Sequence, residues 1–299
     1  MKNKLNFSKY FKLANIFSVL AIIISISFLF LKGLNYGVDF KGGTLLEIRV
    51  SDSNIKIQEI RDSLKAAELG DVNVKKFGKE GDFLVKFEKN SNENEKFISE
   101  LKKNISEKVG TEVNFRRVES VGPKVSSELL KQGITAIALS LAAMLFYIWI
   151  RFEWQFSLGS IIALFHDVII TLGIFSILSL EVNLSIVAAV LTIVGYSMND
   201  TVVIYDRIRE NLLKYSKINT NEIANISVNE TLSRTIITSL TTLLALGSIF
   251  TLGGEILKGF SFAMILGVII GTYSSIFVAS PVLNYFKVTQ KTLQKNDEI

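Results

Sequence analysis

Apolar residues fall along this chain in two regimes. Six stretches are almost unbroken: Leu13–Leu31, Gly133–Ile150, Phe156–Leu180, Leu184–Tyr205, Thr235–Leu252 and Phe260–Phe286. Each is long enough to cross a hydrocarbon core of about 30 Å as a helix. So many near-uncharged runs cannot all be internal helices of a soluble protein this short. The pattern predicts six membrane spans. The first is preceded by Lys2, Lys4, Lys9 and Lys12, as a cleavable leader would be. However, its apolar run is long for a leader and no small-x-small cleavage site follows, so it is expected to be a retained span.

Between the first and second spans the periodicity shortens to that of a small soluble domain. Thr44–Val50 reads as a strand, and Ile55–Leu69 as a helix with Ile57, Ile60, Leu64 and Ala67 on one face. Val72–Phe77 and Phe83–Phe87 read as strands joined by the turn Gly78–Asp82. Phe97, Leu101, Ile105 and Val109 mark a second helix at steps of four, and Val113–Val118 a last strand. The order β-α-β-β-α-β predicts a ferredoxin-like sandwich. The fold class is therefore a polytopic α-helical membrane protein with one external α+β domain between its first two spans.

Charge sharpens this division. Of 33 basic and 28 acidic side chains, 19 and 17 lie between Lys32 and Lys131. That block is nearly neutral, which argues against nucleic acid as a partner. Thirteen Lys and Arg fall in the segments on the side of the N-terminus, while the short loops opposite hold only Lys258. By the positive-inside rule both termini are cytoplasmic and the polar block faces outward. The expected divisions are an N-terminus with first span (1–31), an external, periplasmic domain (32–131), a five-helix bundle (132–286) and a cytoplasmic tail (287–299). With no cysteine and one histidine, thiolate and multi-histidine metal sites are excluded. The external domain carries nothing that resembles an active site. Either it is a folded spacer or its sheet edge binds extended polypeptide.

Ionisable groups inside spans are the functional candidates, because each costs several kcal/mol to place there. Asp200 lies sixteen residues after Leu184, about 24 Å along the fourth span. It sits within a polar cluster of Ser197, Asn199 and Thr201. Arg234 opens the fifth span at a similar depth. A carboxylate near a cation stays ionised, and in an apolar site without one it takes up a proton. Asp200 and Arg234 are thus either a proton switch or a static buried ion pair. His166 and Asp167, near mid-depth of the third span, are secondary candidates, as are Asn199 and Asp206. Asp206, Arg207, Arg209 and Glu210 also read as an interfacial cap of i,i+3 and i,i+4 pairs. Gly195, five residues before Asp200, is placed to loosen that helix or to admit another backbone. Gly267-x-x-x-Gly271 permits close helix packing.

At these residues the chain resembles a known family. Gly37-Val-Asp-Phe-Lys-Gly-Gly-Thr44 and Val121-Gly-Pro-Lys-Val-Ser-Ser-Glu-Leu129 are similar to the segments that bound the external domain of SecF proteins. These belong to the bacterial SecD–SecF complex, within the resistance–nodulation–division superfamily. The similarity continues through Phe165-His-Asp-Val168, Val194-Gly-Tyr-Ser-Met-Asn-Asp-Thr201, Tyr205-Asp-Arg-Ile-Arg-Glu-Asn211 and Asn229-Glu-Thr-Leu-Ser-Arg-Thr235. Lys41 departs from it, standing where a smaller polar residue is expected.

The resemblance implies a non-enzymatic, cofactor-free subunit of the Sec export machinery in the inner membrane. It implies pairing with SecD and assistance to the SecYEG channel and its SecA motor. It further implies use of the proton-motive force to move or release unfolded preprotein, with Asp200 as the acid of the proton pathway and Arg234 as its basic partner. The alternative is a half-size, proton-coupled exporter of solutes or lipids from the same superfamily. A purely structural assembly factor, with Asp200 and Arg234 as a clamp, is a third reading.

Overall fold

The computed structural model describes residues 5–52, 55–65, 69–70, 72–76, 79–88, 95–215 and 218–294. Ala67, Phe77, Gly78, Lys2 and Lys4 lie outside the described residues, as do Lys217 and Lys295, two more of the thirteen cations on the side of the N-terminus. In chain order the elements are α1 (Phe11–Leu31), β1 (Gly43–Val50), α2 (Ile57–Lys65), β2 (Val72–Lys76), β3 (Asp82–Phe87), α3 (Glu95–Val109), β4 (Val113–Val121) and α4 (Pro123–Arg151). They continue with α5 (Trp154–Ile177), α6 (Leu184–Lys214), α7 (Thr220–Leu252), α8 (Glu255–Ser274), a π-helical turn (Ser275–Ala279), α9 (Ser280–Tyr285) and α10 (Gln290–Gln294). Two units separate: 1–35 with 135–181 and 185–299, and 36–134 with 182–184.

Among the described residues six helices are long and apolar enough to span a membrane, one for each expected run. Two reach well past their apolar runs. α6 continues to Lys214 and α7 begins at Thr220, because Ile208, Leu212, Ile223, Ala224 and Val228 are buried in one shared core. Burying such a side chain is worth about 1.5–3 kcal/mol, enough to hold polar turns helical. The start of α7 is capped by Asn219, whose side chain accepts the Asn221 N–H at 2.9 Å. Gly267 and Gly271 pack against Ile193 and Ser197 of α6, so the small-residue spacing does bring α8 and α6 together.

The second unit holds the four-stranded antiparallel sheet, in the order β2-β3-β1-β4. That is the ferredoxin-like arrangement. Leu46 stands opposite Val85, and Ile48 opposite Phe83. This face packs on Ile60 and Leu64 of α2 and on Leu101 and Ile105 of α3, forming the unit's own core. The register of β4 on β1 slips between Glu47 and Ile48, so Arg116 is an extra, bulged residue. Arg116 approaches Asp82 at 3.9 Å, and Arg49 holds the same carboxylate at 2.5 Å through two nitrogens. That hydrogen-bonded guanidinium keeps the Asp82 carboxyl below its ordinary range.

The unit also contains a single helical turn, Val38–Lys41, between Gly37 and Gly42. Gly42 has φ +80° and Gly43 φ +113°, a region that side chains with a Cβ rarely enter. A Cβ on Gly43 would stand 2.5 Å from the Phe87 carbonyl oxygen. The turn gathers three segments. Gly37 N–H donates to the Val182 carbonyl at 2.8 Å, Leu184 N–H to Asp39 Oδ2 at 2.9 Å, and Ser126 Oγ to the Val38 carbonyl at 3.4 Å.

Candidate functional site

α5, α6 and α8 bury a polar centre inside an otherwise apolar bundle. On α6 the helical period turns Ser197, Asp200 and Thr201 inward, with Asp200 4% exposed. Oδ2 of Asp200 is sealed from solvent and has no hydrogen-bond partner. Arg234 on α7 is exposed, and acts on Asp200 through space without a hydrogen bond or ion pair. The two predicted partners therefore lie within electrostatic reach and do not meet. Thr235, next to Arg234, is 1% exposed, and its hydroxyl likewise lacks a partner. A buried carboxylate oxygen with no hydrogen-bond donor among the described residues is costly to hold in its charged form.

Asp167 on α5 is more densely connected than the sequence pattern suggests. His166 Nδ1 is 2.8 Å from Asp167 Oδ1, while Ser197 Oγ and Ser274 Oγ donate to Oδ2 at 2.6 and 2.8 Å. One turn beyond Ser197 and one residue beyond Ser274, the hydroxyls of Thr201 and Ser275 meet at 2.9 Å. Ser274 and Ser275 were not among the predicted residues. Hydroxyls are frequent in membrane helices and usually bond their own backbone, so these two carry no mark of their own in the sequence. Pro281, which removes a backbone donor, is the available signal that α8 ends in an irregular π-helical turn.

Three expectations are corrected. Asn199 is exposed and not part of the inward cluster, because one residue of helix turns it away from Asp200. Gly195 admits no close backbone within this chain: nothing lies within 4 Å of where its Cβ would be. The inward face there belongs to Ile193, Val194, Ser197 and Met198. Finally, the charged end of α6 is less a cap along one helix than a lattice between helices. Only Arg207–Glu210, at 2.6 Å, is an i,i+3 pair. Asp206 pairs with Arg151 of α4 at 2.9 Å, Arg207 with Glu230 of α7 at 2.6 Å, and Arg209 with the buried Glu153 at 3.5 Å.

Comparison with known proteins agrees with this layout. Residues 101–289 match the family model described as protein export membrane protein SecD/SecF, C-terminal, and residues 27–53 match the SecD/SecF GG motif. The latter spans the Gly42–Gly43 turn. A curated relative, protein translocase subunit SecF of Rickettsia rickettsii (strain Sheila Smith), is 43% identical over 99% of this chain and 97% of its own length. Among solved structures, the translocon-associated membrane protein SecDF from Thermus is 34% identical, with a TM-score of 0.86 over 96% of this chain. SecDF in a super-membrane-facing form is 33% identical, with a TM-score of 0.72 over the whole chain. The chain spans 39% and 41% of those two solved chains. Full-length similarity to translocase subunits sets aside the alternative of a solute or lipid exporter. A multi-pass membrane protein with these motifs belongs to the SecD/SecF family of protein export membrane proteins.

Proposed function

We propose that this chain is a non-enzymatic accessory subunit of the Sec export machinery, coupling the proton-motive force to late translocation and release of polypeptide. It works in the bacterial inner membrane, both termini in the cytoplasm and residues 32–131 in the periplasm. It pairs with SecD and serves the SecYEG channel with SecA, taking unfolded preprotein as its client. The observation that carries this is Asp200: a buried carboxylate with a bare oxygen, in a membrane helix, with Arg234 near but unpaired. Protonated, the acid tolerates its apolar site. When helix movement brings the guanidinium to it, the ionised form is favoured and the proton leaves. A static clamp would need the ion pair already formed.

Pairing with SecD draws support from the outer face of α6. Ala188, Thr192, Gly195 and Asn199 share one exposed stripe, of the small and polar kind that membrane helices use to approach one another. In the external sheet β2 and β4 are edge strands, suited to receive an extended segment of client.

The test is Asp200→Asn and Arg234→Met, each assembled with SecD. Export of a precursor is measured with and without a proton gradient. We expect the gradient-dependent part to vanish in both; full gradient-dependent export by folded variants would reject the proposal. For the external sheet, a crosslinker on β2 captures a stalled precursor if the domain handles polypeptide. If only SecD captures it, the domain is a spacer.

A further inference from the structure

Asp200 is not the bundle's only buried acid. Asp167 is fully buried, and both of its oxygens are engaged, by His166 on its own helix and by Ser197 and Ser274 from α6 and α8. Two hydroxyl donors on one oxygen suit a carboxylate oxygen with both lone pairs free to accept. With Nδ1–H donated to Asp167, a neutral His166 presents a lone pair at Nε2. That nitrogen is sealed from solvent in a side chain 2% exposed, and no donor meets it. The ring lies stacked on Tyr273, centroids 6.0 Å apart, whose hydroxyl donates to the Ala14 carbonyl of α1 at 2.8 Å.

Among the described residues no Lys or Arg pairs with Asp167. α5 contains no Lys or Arg. Those of α1, α6 and α8 (Lys12, Arg207, Arg209, Lys214 and Lys258) lie toward helix ends, and the π-helical turn with α9 has none. The other titratable groups on the packed elements are Tyr196, Asp200, Tyr205, Asp206 and Glu210 of α6, Glu255 and Tyr273 of α8, and Tyr285 of α9; Asp200 lies one helical turn beyond Ser197. Along their helices, Asp167 is about 15 Å and Asp200 about 24 Å from the α5–α6 connection. Hydroxyls occupy the interval: Ser197 and Ser274 on Asp167, then Ser275 and Thr201, the latter adjacent to Asp200.

We propose that the His166–Asp167 dyad is a second proton-holding station, in series with Asp200. This deepens the proton-coupled function above and rests on it. A proton arriving at Nε2 forms one N–H bond, and the dyad passes from net charge −1 to neutral; release reverses the step. Neutralisation weakens the hold of Asp167 on its hydroxyl donors. Ser274 already has a second acceptor, the Gly271 carbonyl at 3.1 Å. It directly precedes the π-helical turn, a kind of irregularity frequent at functional sites. Proton occupancy thereby loosens α8 from α5.

The single histidine in this chain makes the test clean. The chain is produced with isotope-labelled histidine, assembled with unlabelled SecD in vesicles, and the ring nitrogens are followed by solid-state NMR as pH is lowered. We expect Nε2 to gain a proton in the wild type and in Asp200→Asn, and its titration to move in Asp167→Asn. His166→Asn keeps a donor for Asp167 and removes the titrating nitrogen. It is expected to assemble normally and lose most gradient-dependent export. An Nε2 that never changes state, or full export by His166→Asn, overturns the second station. Full export by Asp200→Asn instead overturns the proposed function, while the histidine titration still reports on the dyad.

Discussion

Asp39 Oδ2 accepts the backbone N–H of Leu184 at 2.9 Å, so the first residue of α6 is capped by a side chain from the Gly37–Thr44 segment. The first amides of a helix have no partners within it, and an acidic side chain there satisfies a donor and complements the helix dipole. Replacing Asp39 by Ala is expected to cost about 1 kcal/mol. Hydrogen exchange at the Leu184 amide should accelerate about fivefold, with Asp39→Asn intermediate because it keeps an oxygen. Unchanged exchange in Asp39→Ala would remove the cap from the account.

Gly43 sits in the same segment under a stricter constraint. Its φ of +113° and the 2.5 Å approach of a would-be Cβ to the Phe87 carbonyl coincide. Backbone strain alone is worth about 1–3 kcal/mol, and the clash is with backbone, which cannot swing away. Gly43→Ala should therefore lower the unfolding midpoint of the external sheet far more than Gly110→Ala. Gly110 also has positive φ, at +73°, but has open space around it. Equal effects would mean that conformation alone, without the close approach, selects glycine here.

The fold was legible because its two materials obey different periods. Uninterrupted apolar runs gave the spans, and the alternation of Leu46, Ile48 and Val50 with Glu47 and Arg49 gave a strand with one buried face. Asp200 was legible as a charge where charge is expensive. Its relation to Arg234 was not, since depth along a helix fixes height but not the distance between helices. Ser274 was hidden for a related reason. Thr238, Thr241 and Ser248 each donate to the carbonyl four residues back, and nothing local distinguishes them from a serine that donates to a buried acid on another helix. Gly195 is near Asp200 in sequence but faces away from it on the helix, so closeness along the chain did not place it at the buried centre.

Two glycines in membrane helices should respond oppositely to the same change. A Cβ on Gly267 overlaps the Ile193 side chain, whereas one on Gly195 meets nothing in this chain. Gly267→Ala is expected to destabilise the α6–α8 packing by about 1–3 kcal/mol. Gly195→Ala should stabilise α6 in the isolated chain by up to about 1 kcal/mol. If the exposed stripe of α6 receives SecD, Gly195→Ala also weakens the complex. Thermal melts of the chain alone, paired with co-purification of SecD, separate the two effects. A Gly195→Ala chain that binds SecD normally would move the interface elsewhere.

Lys86 gives the external unit a pH dependence of unusual sign. The side chain is half-buried on β3, and its amine is pushed down to about 8 from the ordinary 10.5, by burial first and then by Lys75 and Lys41 against the opposing charge of Asp39. Because the folded form holds its proton more weakly than the unfolded chain, stability is lowest while Lys86 is charged. It rises as pH climbs from about 8 toward 10.5. At about 1.4 kcal/mol per unit, reduced by roughly half for partial exposure to solvent, the gain is about 1–2 kcal/mol. Lys86→Met should capture that gain at neutral pH and flatten the dependence. The absence of cysteine supplies the measurement. A Val85→Cys thiol, buried in the sheet core, becomes labelled only when the unit opens. Its labelling rate should fall between pH 8 and 10 relative to an exposed control thiol, and lose that fall in the Lys86→Met background. A rate that rises across this window in both backgrounds would show that the amine stays charged in the folded sheet.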